Sequence, residues 1–211
     1  MLTIQRFTFN PFQENTFVVH NGKEAILIDP GCWNAAEENE LETYLNENAL
    51  EPVRLVLTHA HIDHILGCAW THKQYGLLPE LHKDDIPTLK SGERTSSMYG
   101  IPYDVAPDPM SFIKEGDTIR LGNDEMKVLF VPGHAPGHIA LYCKAQDFVI
   151  CGDVLFMNSI GRTDLPGGDT DTLLRSIHEQ LLPLGDAVKV YCGHGPDTTI
   201  GQERKSNPFL R

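Results

Sequence analysis

Thr58-His59-Ala60-His61-Ile62-Asp63-His64 follows directly on the apolar run Val53 to Leu57, so a strand ends where three imidazoles and a carboxylate crowd together. Such side chains would compete for protons in an empty pocket. They become compatible when neutral imidazoles and a carboxylate share a divalent cation. A hydrophilic turn that merely contains three histidines is the alternative for this stretch taken alone. Three further apolar runs end in the same way: Val128 to Val131 before His134, Phe148 to Cys151 before Asp153, and Val188 to Cys192 before His194. Sheet proteins collect ligands at the carboxyl ends of strands, where the backbone is rigid and the next loop can turn inward.

His59, His61, Asp63, His64, His134, Asp153 and His194 offer more donors than one four-coordinate zinc can use. Two divalent cations can use them all. Three imidazoles would hold one, an Asp and two imidazoles the other, with a carboxylate bridging and an open position left for water. A hydroxide lodged between ions about 3.5–4 Å apart would exist at neutral pH and could attack a carbonyl. Zinc is the expected ion, and the same donors accommodate iron or manganese.

Outward from this cluster, period-two alternation predicts strands over Thr3 to Phe9, Thr16 to His20 and Glu24 to Asp29, with Asn21-Gly22 as a hairpin turn. A polar helix is expected over Asn34 to Asn48 and a second over His64 to Gly76, and the proline-rich stretch Pro79 to Pro109 reads as short helices and a flap. Strand signals return at Thr118 to Leu121, Met126 to Val131, Ile139 to Cys143 and Phe148 to Cys151. A Gly-rich loop then leads to an amphipathic helix, Thr170 to Leu182, whose N-cap is Asp169 or Thr170, and a final strand and helix complete the chain.

The 211 residues fit a single domain spanning 1–211, and a hydrophobic fraction of 41% supports one sizeable core. The formal charge of -12 disfavours nucleic acid and anionic lipid as partners. No stretch reaches the roughly 18 apolar residues of a membrane helix, and no signal peptide is legible. Five cysteines without a Cys-x-x-Cys pair suit a reducing compartment, so a cytoplasmic protein acting on a small molecule is expected.

The His-x-His-x-Asp-His pattern, a later His after Pro132-Gly133, Asp153 after Gly152 and a final Gly193-His194 resemble the metallo-β-lactamase superfamily. Pro132-Gly-His-Ala-Pro-Gly-His138 and the tail Asn207-Pro208-Phe209-Leu210 are similar to its glyoxalase II (hydroxyacylglutathione hydrolase) branch. The resemblance spans nearly the whole chain. It implies an α/β (α+β) fold, an αββα sandwich of two mixed β-sheets flanked by helices, with the metals at one edge. It also implies His59, His61 and His134 on one metal, Asp63, His64 and His194 on the other, and Asp153 bridging them. Asp63 and Asp153 would be the catalytic carboxylates around a nucleophilic metal-bound hydroxide. Asp at 153 differs from the main β-lactamase group, which carries Cys there.

The sequence ends at Arg211, soon after His194, where longer glyoxalase II enzymes continue into a helical domain that contributes to glutathione binding. The resemblance is therefore to the short bacterial type lacking that domain, and it implies cleavage of a thioester such as S-lactoylglutathione or another S-acylglutathione. Gly161-Arg162-Thr163-Asp164 is similar to a stretch in the persulfide dioxygenases. That gives an alternative, a mononuclear iron held by His59, His134 and Asp153. A third reading makes the metals structural or sensory.

Among single residues, Asp29 ends a strand and either hydrogen-bonds a metal-bearing histidine or turns the chain before Pro30-Gly31. Thr58 could likewise orient a neighbouring ligand or bond to backbone. Arg162 either clamps a substrate carboxylate or pairs with Asp164 or Asp169. His138 is expected to be a structural histidine, while His20, His72, His82 and His178 read as surface residues. Cys151 and Cys192, each two positions before a candidate ligand, are aimed by strand alternation toward the same face and read as small buried hydrophobes, with a ligating thiolate as the alternative.

Overall fold

The structure, a computed structural model, describes residues 1–109 and 111–210. Strands β1 (Thr3–Phe9) and β2 (Glu14–His20) pair antiparallel. The Asn21 side-chain carbonyl accepts the Lys23 and Glu24 N–H groups and turns the chain into β3 (Glu24–Ile28). Helix α1 (Ala35–Glu47) starts at Asn34, whose side chain accepts from the Ala36 and Glu37 amides. It leads to β4 (Glu51–Val56), parallel to β3. Next come α2 (Ile62–Ile65), α3 (Cys68–Tyr75), β5 (Pro79–Leu81), α4 (Ile86–Lys90), α5 (Gly92–Tyr99) and β6 (Ser111–Phe112). Strands β1 to β6 form one mixed sheet in sequential order.

The second sheet is built from β7 (Thr118–Leu121), β8 (Asp124–Phe130), β9 (Ile139–Cys143) and β10 (Phe148–Gly152). The small hairpin of β11 (Leu155–Phe156) and β12 (Ser159–Ile160) and helix α6 (Thr170–Ser176) precede β13 (Lys189–Cys192), β14 (Thr198–Thr199) and α7 (Ile200–Ser206). Its order is β14-β13-β10-β9-β8-β7, and β10 lies parallel to β13.

The sheets face each other across Phe17, Val19, Ile26, Ile28 and Val56 on one side and Met126, Val128, Ile139, Leu141 and Ile150 on the other. Leu41 and Leu45 of α1 cover the outer face of the first sheet. Leu173 of α6 with Ile177 and Leu181 after it cover the second. Each such burial contributes about 1.5–3 kcal/mol. The result is the expected αββα sandwich, and no described helix is long and apolar enough to cross a membrane.

Two helices differ from their sequence patterns. The expected helix over His64 to Gly76 begins earlier and breaks at Gly67, whose N–H donates to Pro30 O at 2.8 Å. A Cβ on Gly67 would collide with Cys32, so contact with the loop after β3 overrides helical continuity. The helix expected to run to Leu182 is α-helical only through Ser176, then widens into a π turn over Ile177–Leu181 and tightens over Leu182–Leu184. Pro183 there lacks the N–H that would continue the ladder. Two histidines read as surface residues are buried instead. His20 bonds the Tyr44 hydroxyl at 3.0 Å, and His82 stacks on Phe130 at 4.4 Å.

Gly133, just before His134, has φ +128, and its carbonyl accepts the Asp169 N–H that opens α6. A Cβ there would strike the Leu173 backbone. Gly133→Ala is therefore expected to lower stability by about 2–4 kcal/mol. Urea unfolding checks this, and an unchanged midpoint would mean that loop and helix do not depend on this close approach.

Candidate metal centre

Each donor group sits just past a strand end, as the apolar runs imply. His59 and His61 follow β4, and the one-turn helix α2 carries Asp63 and His64. His134 follows β8, Asp153 follows β10 and His194 follows β13. One sheet supplies the first set and the other sheet the second, so the donors meet only at the edge where both sheets end.

Among the described residues three groups of donors form, one of them Asp29 with His59 and His64, and the other two made of the expected ligands. Ring atoms of His59, His61 and His134 lie within 4.8 Å of one another, and so do donor atoms of Asp63, His64 and His194. Asp153 lies between the groups: its Oδ2 is 3.6 Å from His134 Nε2 and 3.4 Å from His194 Nε2, while Oδ1 is 3.5 Å from His64 Nε2.

Most of these rings are anchored through Nδ1 and present Nε2 inward. His59 Nδ1 meets Thr58 Oγ1 at 3.1 Å, His64 Nδ1 meets Asp29 Oδ2 at 3.1 Å, and His134 Nδ1 donates to Arg162 O at 2.7 Å. His194 Nδ1 donates to Phe12 O at 3.1 Å. Because the Nδ1 proton is used in each bond, the Nε2 lone pair is left for a ligand role. His61 is the exception, with Nδ1 turned inward to within 2.8 Å of His134 Nε2.

The two groups differ electrostatically. Burial, reinforced by the neighbouring rings, pushes His59 well below the ordinary imidazole range, and burial beside His134 takes His61 down to about 4. These rings are neutral, as metal ligands must be. In the other group, burial opposes protonation but the Asp153 and Asp63 carboxylates outweigh it, raising His64 well above its usual value. His194 is likewise raised to about 10 against its own desolvation. Asp153 and Asp63 are correspondingly lowered, since His64 and His194 outweigh the burial that would raise them. Two acids thus hold positive charge where a cation would sit. His59 Nε2, His64 Nε2 and Asp153 Oδ1 are also buried without a hydrogen-bond partner among the described residues. Leaving such atoms unpaired is costly, and divalent cations at these positions would satisfy all three. The donor set fits two metal ions.

Several supporting residues had no local sequence signal. Asp85, in a run of charges that reads as surface, is buried and accepts the Ala60 N–H at 2.5 Å and the Gly137 N–H at 3.1 Å, clamping the two histidine loops together. Asn15 donates to Cys192 O at 2.9 Å and Gly195 O at 2.8 Å, fastening the His194 loop to β2. Glu14 is fully buried with Oε1 3.7 Å from His64 Nδ1, and burial raises its pKa well above the carboxylate range despite His64. All three act across long sequence separations, so only pairing partners could have revealed them.

The remaining single-residue expectations sort clearly. Asp29 accepts from Thr58 N at 2.6 Å and Thr58 Oγ1 at 2.5 Å as well as facing His64. Asp29 and Thr58 therefore both touch candidate ligands. His138 is a structural residue: its Nε2 accepts the Asp153 N–H at 3.1 Å and its ring stacks on His59 at 4.5 Å. Cys151 and Cys192 are small buried hydrophobes, as read, but they pack in the core beneath α6 and not against the donors toward which strand alternation aims them. Cys151 falls where β10 shifts register against β13, which alters the side-chain alternation. Arg162 adopts the second of its two expected pairings, the one with Asp164. Its Nε and one terminal nitrogen each reach Asp164 at 2.7 Å, and it serves the centre through its carbonyl.

A cavity of about 640 Å³ opens onto the donors and is walled by Phe12, Ile62, Phe156, Ile160 and Leu165 with residues of α4 and α5. That volume suits a small-molecule ligand.

Residues 9–194 match the model of the family described as Metallo-beta-lactamase superfamily. Hydroxyacylglutathione hydrolase GloC of Haemophilus influenzae is 35% identical over 212 residues, covering 99% of this chain and 98% of its own. Among solved structures, BLEG-1 B3 metallo-beta-lactamase superposes with TM-score 0.90 at 36% identity, covering 99% of both chains. TTHA1623, solved in a di-iron-bound form, superposes with TM-score 0.88 at 37% identity, covering 98% of this chain and 100% of its own.

Since Asp29 reaches both donor groups, Asp29→Ala is expected to weaken metal binding about 10- to 100-fold. Competition against a chromophoric chelator measures this, and unchanged affinity would show that the rings keep their orientation without it.

Proposed function

Because the chain belongs to the metallo-β-lactamase superfamily, we propose that it is a two-metal hydrolase that cleaves a thioester such as S-lactoylglutathione or another S-acylglutathione. The observation that carries this reading is Asp153 facing both donor groups at the floor of a large cavity. His59, His61 and His134 would hold one cation, Asp63, His64 and His194 the other, and Asp153 would be shared. The pair, when bound, would supply Lewis acidity toward a carbonyl oxygen and make water acidic enough to ionise near neutral pH. Zinc is the proposed ion. Imidazole and carboxylate donors also accept iron, the metal of the TTHA1623 form.

The protein's own part is positional. Asp29, Thr58, Phe12 O and Arg162 O fix the rings before substrate arrives, and such preorganised donors need no rearrangement during reaction. Phe12, Phe156 and Ile160 give the cavity apolar walls beside the donors. Apart from Asp63 and Asp153, no lining residue among those described carries a carboxyl group. This suits a thiolate, which departs without needing a proton. A mononuclear iron on His59, His134 and Asp153 would leave Asp63, His64 and His194 without a use. GloC is named for a hydroxyacylglutathione hydrolase activity, which favours the thioester over the β-lactam of the BLEG-1 name.

The test is metal analysis of protein purified without chelator, together with assays on S-lactoylglutathione, a penicillin and glutathione persulfide. About two metal ions per chain and thiol release are expected. Asp153→Ala should lower bound metal and turnover together, turnover by more than about a hundredfold. Hydrolysis of only the penicillin, or oxygen uptake with persulfide and no thiol release, would overturn the reading.

A further inference from the structure

Helices α4 and α5 supply part of the cavity wall, and three of its hydroxyls are engaged within the protein. Thr88 Oγ1 donates to Asp85 Oδ1, Ser91 Oγ to Thr88 O at 2.7 Å, and Thr95 Oγ1 to Ser91 O at 3.0 Å. These three hydroxyl protons are therefore spent inside the protein. Of the two arginines lining the cavity, Arg162 is forked onto Asp164. Arg94 has no hydrogen-bond or ion-pair partner among the described residues. Its guanidinium offers five N–H donors in a planar fork shaped for a carboxylate.

This wall is tied to the candidate metal centre. Helix α5 packs against α2, which carries Asp63 and His64. Tyr99 at the end of α5 sets its ring edge-on to Phe12 at 5.3 Å, and the Phe12 carbonyl holds His194. A ligand with one end at the donors and the other along α5 thus touches one connected surface. The cavity of about 640 Å³ is large enough for a ligand of peptide-thiol size.

The charge balance gives this arginine a purpose. A chain of formal charge -12 repels an approaching anion at long range. An anionic substrate therefore gains from a cation near its carboxylate, apart from the cations proposed at the donors. On the reading that the site cleaves a thioester, we propose that Arg94 of α5 receives a carboxylate of the substrate and selects thioesters that carry one. Arg94 is then a specificity-determining residue, and unlike Arg162 it carries no carboxylate of the described residues in its fork.

The test uses the zinc-loaded protein at low salt and two ligands, S-hexylglutathione and its dimethyl ester, with affinity read by calorimetry. The wild type is expected to prefer the free acid. Arg94→Ala should erase that preference, weakening the acid about five- to tenfold with little change for the diester, and Arg94→Lys should restore part of it. In parallel, the ratio of kcat/KM for S-lactoylglutathione to that for the neutral S-lactoyl-N-acetylcysteamine should fall in Arg94→Ala through KM. A wild type that does not distinguish acid from ester, or an Arg94→Ala that distinguishes them equally well, overturns the proposal. If no thioester is cleaved but Arg94→Ala still erases the binding preference, the hydrolase reading fails and the carboxylate site stands.

Discussion

The donor arrangement depends on one buried carboxylate, Asp29. One of its oxygens accepts the Thr58 hydroxyl, whose own oxygen meets His59 Nδ1, and that same carboxylate oxygen faces His64 Nδ1. A single chain of hydrogen bonds therefore orients a histidine in each donor group. Its other oxygen takes the Thr58 backbone amide, which fixes the point where β4 ends. Asp29 adopts a left-handed backbone at φ +50, a conformation that Asp tolerates better than most residues. Strained backbone, buried charge and a shared ligand network coincide here. Each is costly alone, and each is offset by the others.

The second constraint is that two sheets must end at the same height. Asn15 bonds carbonyls on either side of His194, and Asp85 joins the loop after β4 to the loop after β8. These contacts do for the loops what Phe17, Ile28, Val128 and Ile150 do for the sheet faces. The hydrophobic core sets the spacing of the layers without direction, whereas the polar contacts are directional and set the register of the ligand loops. Gly193 shows how tight the edge is, since a Cβ there would collide with Asp153 Oδ1 and lie against the His64 ring.

Charge is divided between floor and wall. The floor carries the acids and imidazoles that accommodate cations, while the α4–α5 wall engages Thr88, Ser91 and Thr95 internally and leaves a guanidinium open. A polar floor beneath apolar sides raises the strength of every electrostatic contact made there, because less water screens it.

The residue pattern determined a layered α/β fold and the strand ends that carry the clustered donors, and the family resemblance added the αββα sandwich. Strand alternation is a local property, and a strand's end in a His or Asp is visible without knowing its neighbours, as at Thr58-His59 and Gly152-Asp153. Capping was equally legible, with Asn34 and Asp169 each accepting amides of the helix that follows. Tertiary structure decided where Gly67 breaks a helix and that His20 and His82 are buried. It also decided that Asp85 and Asn15 brace ligand loops, and which of two arginines remains free. These outcomes turn on partners far away in the chain. Burial and hydrogen-bond satisfaction belong to a pair of groups, and no periodicity in one segment specifies what a distant segment will bring against it.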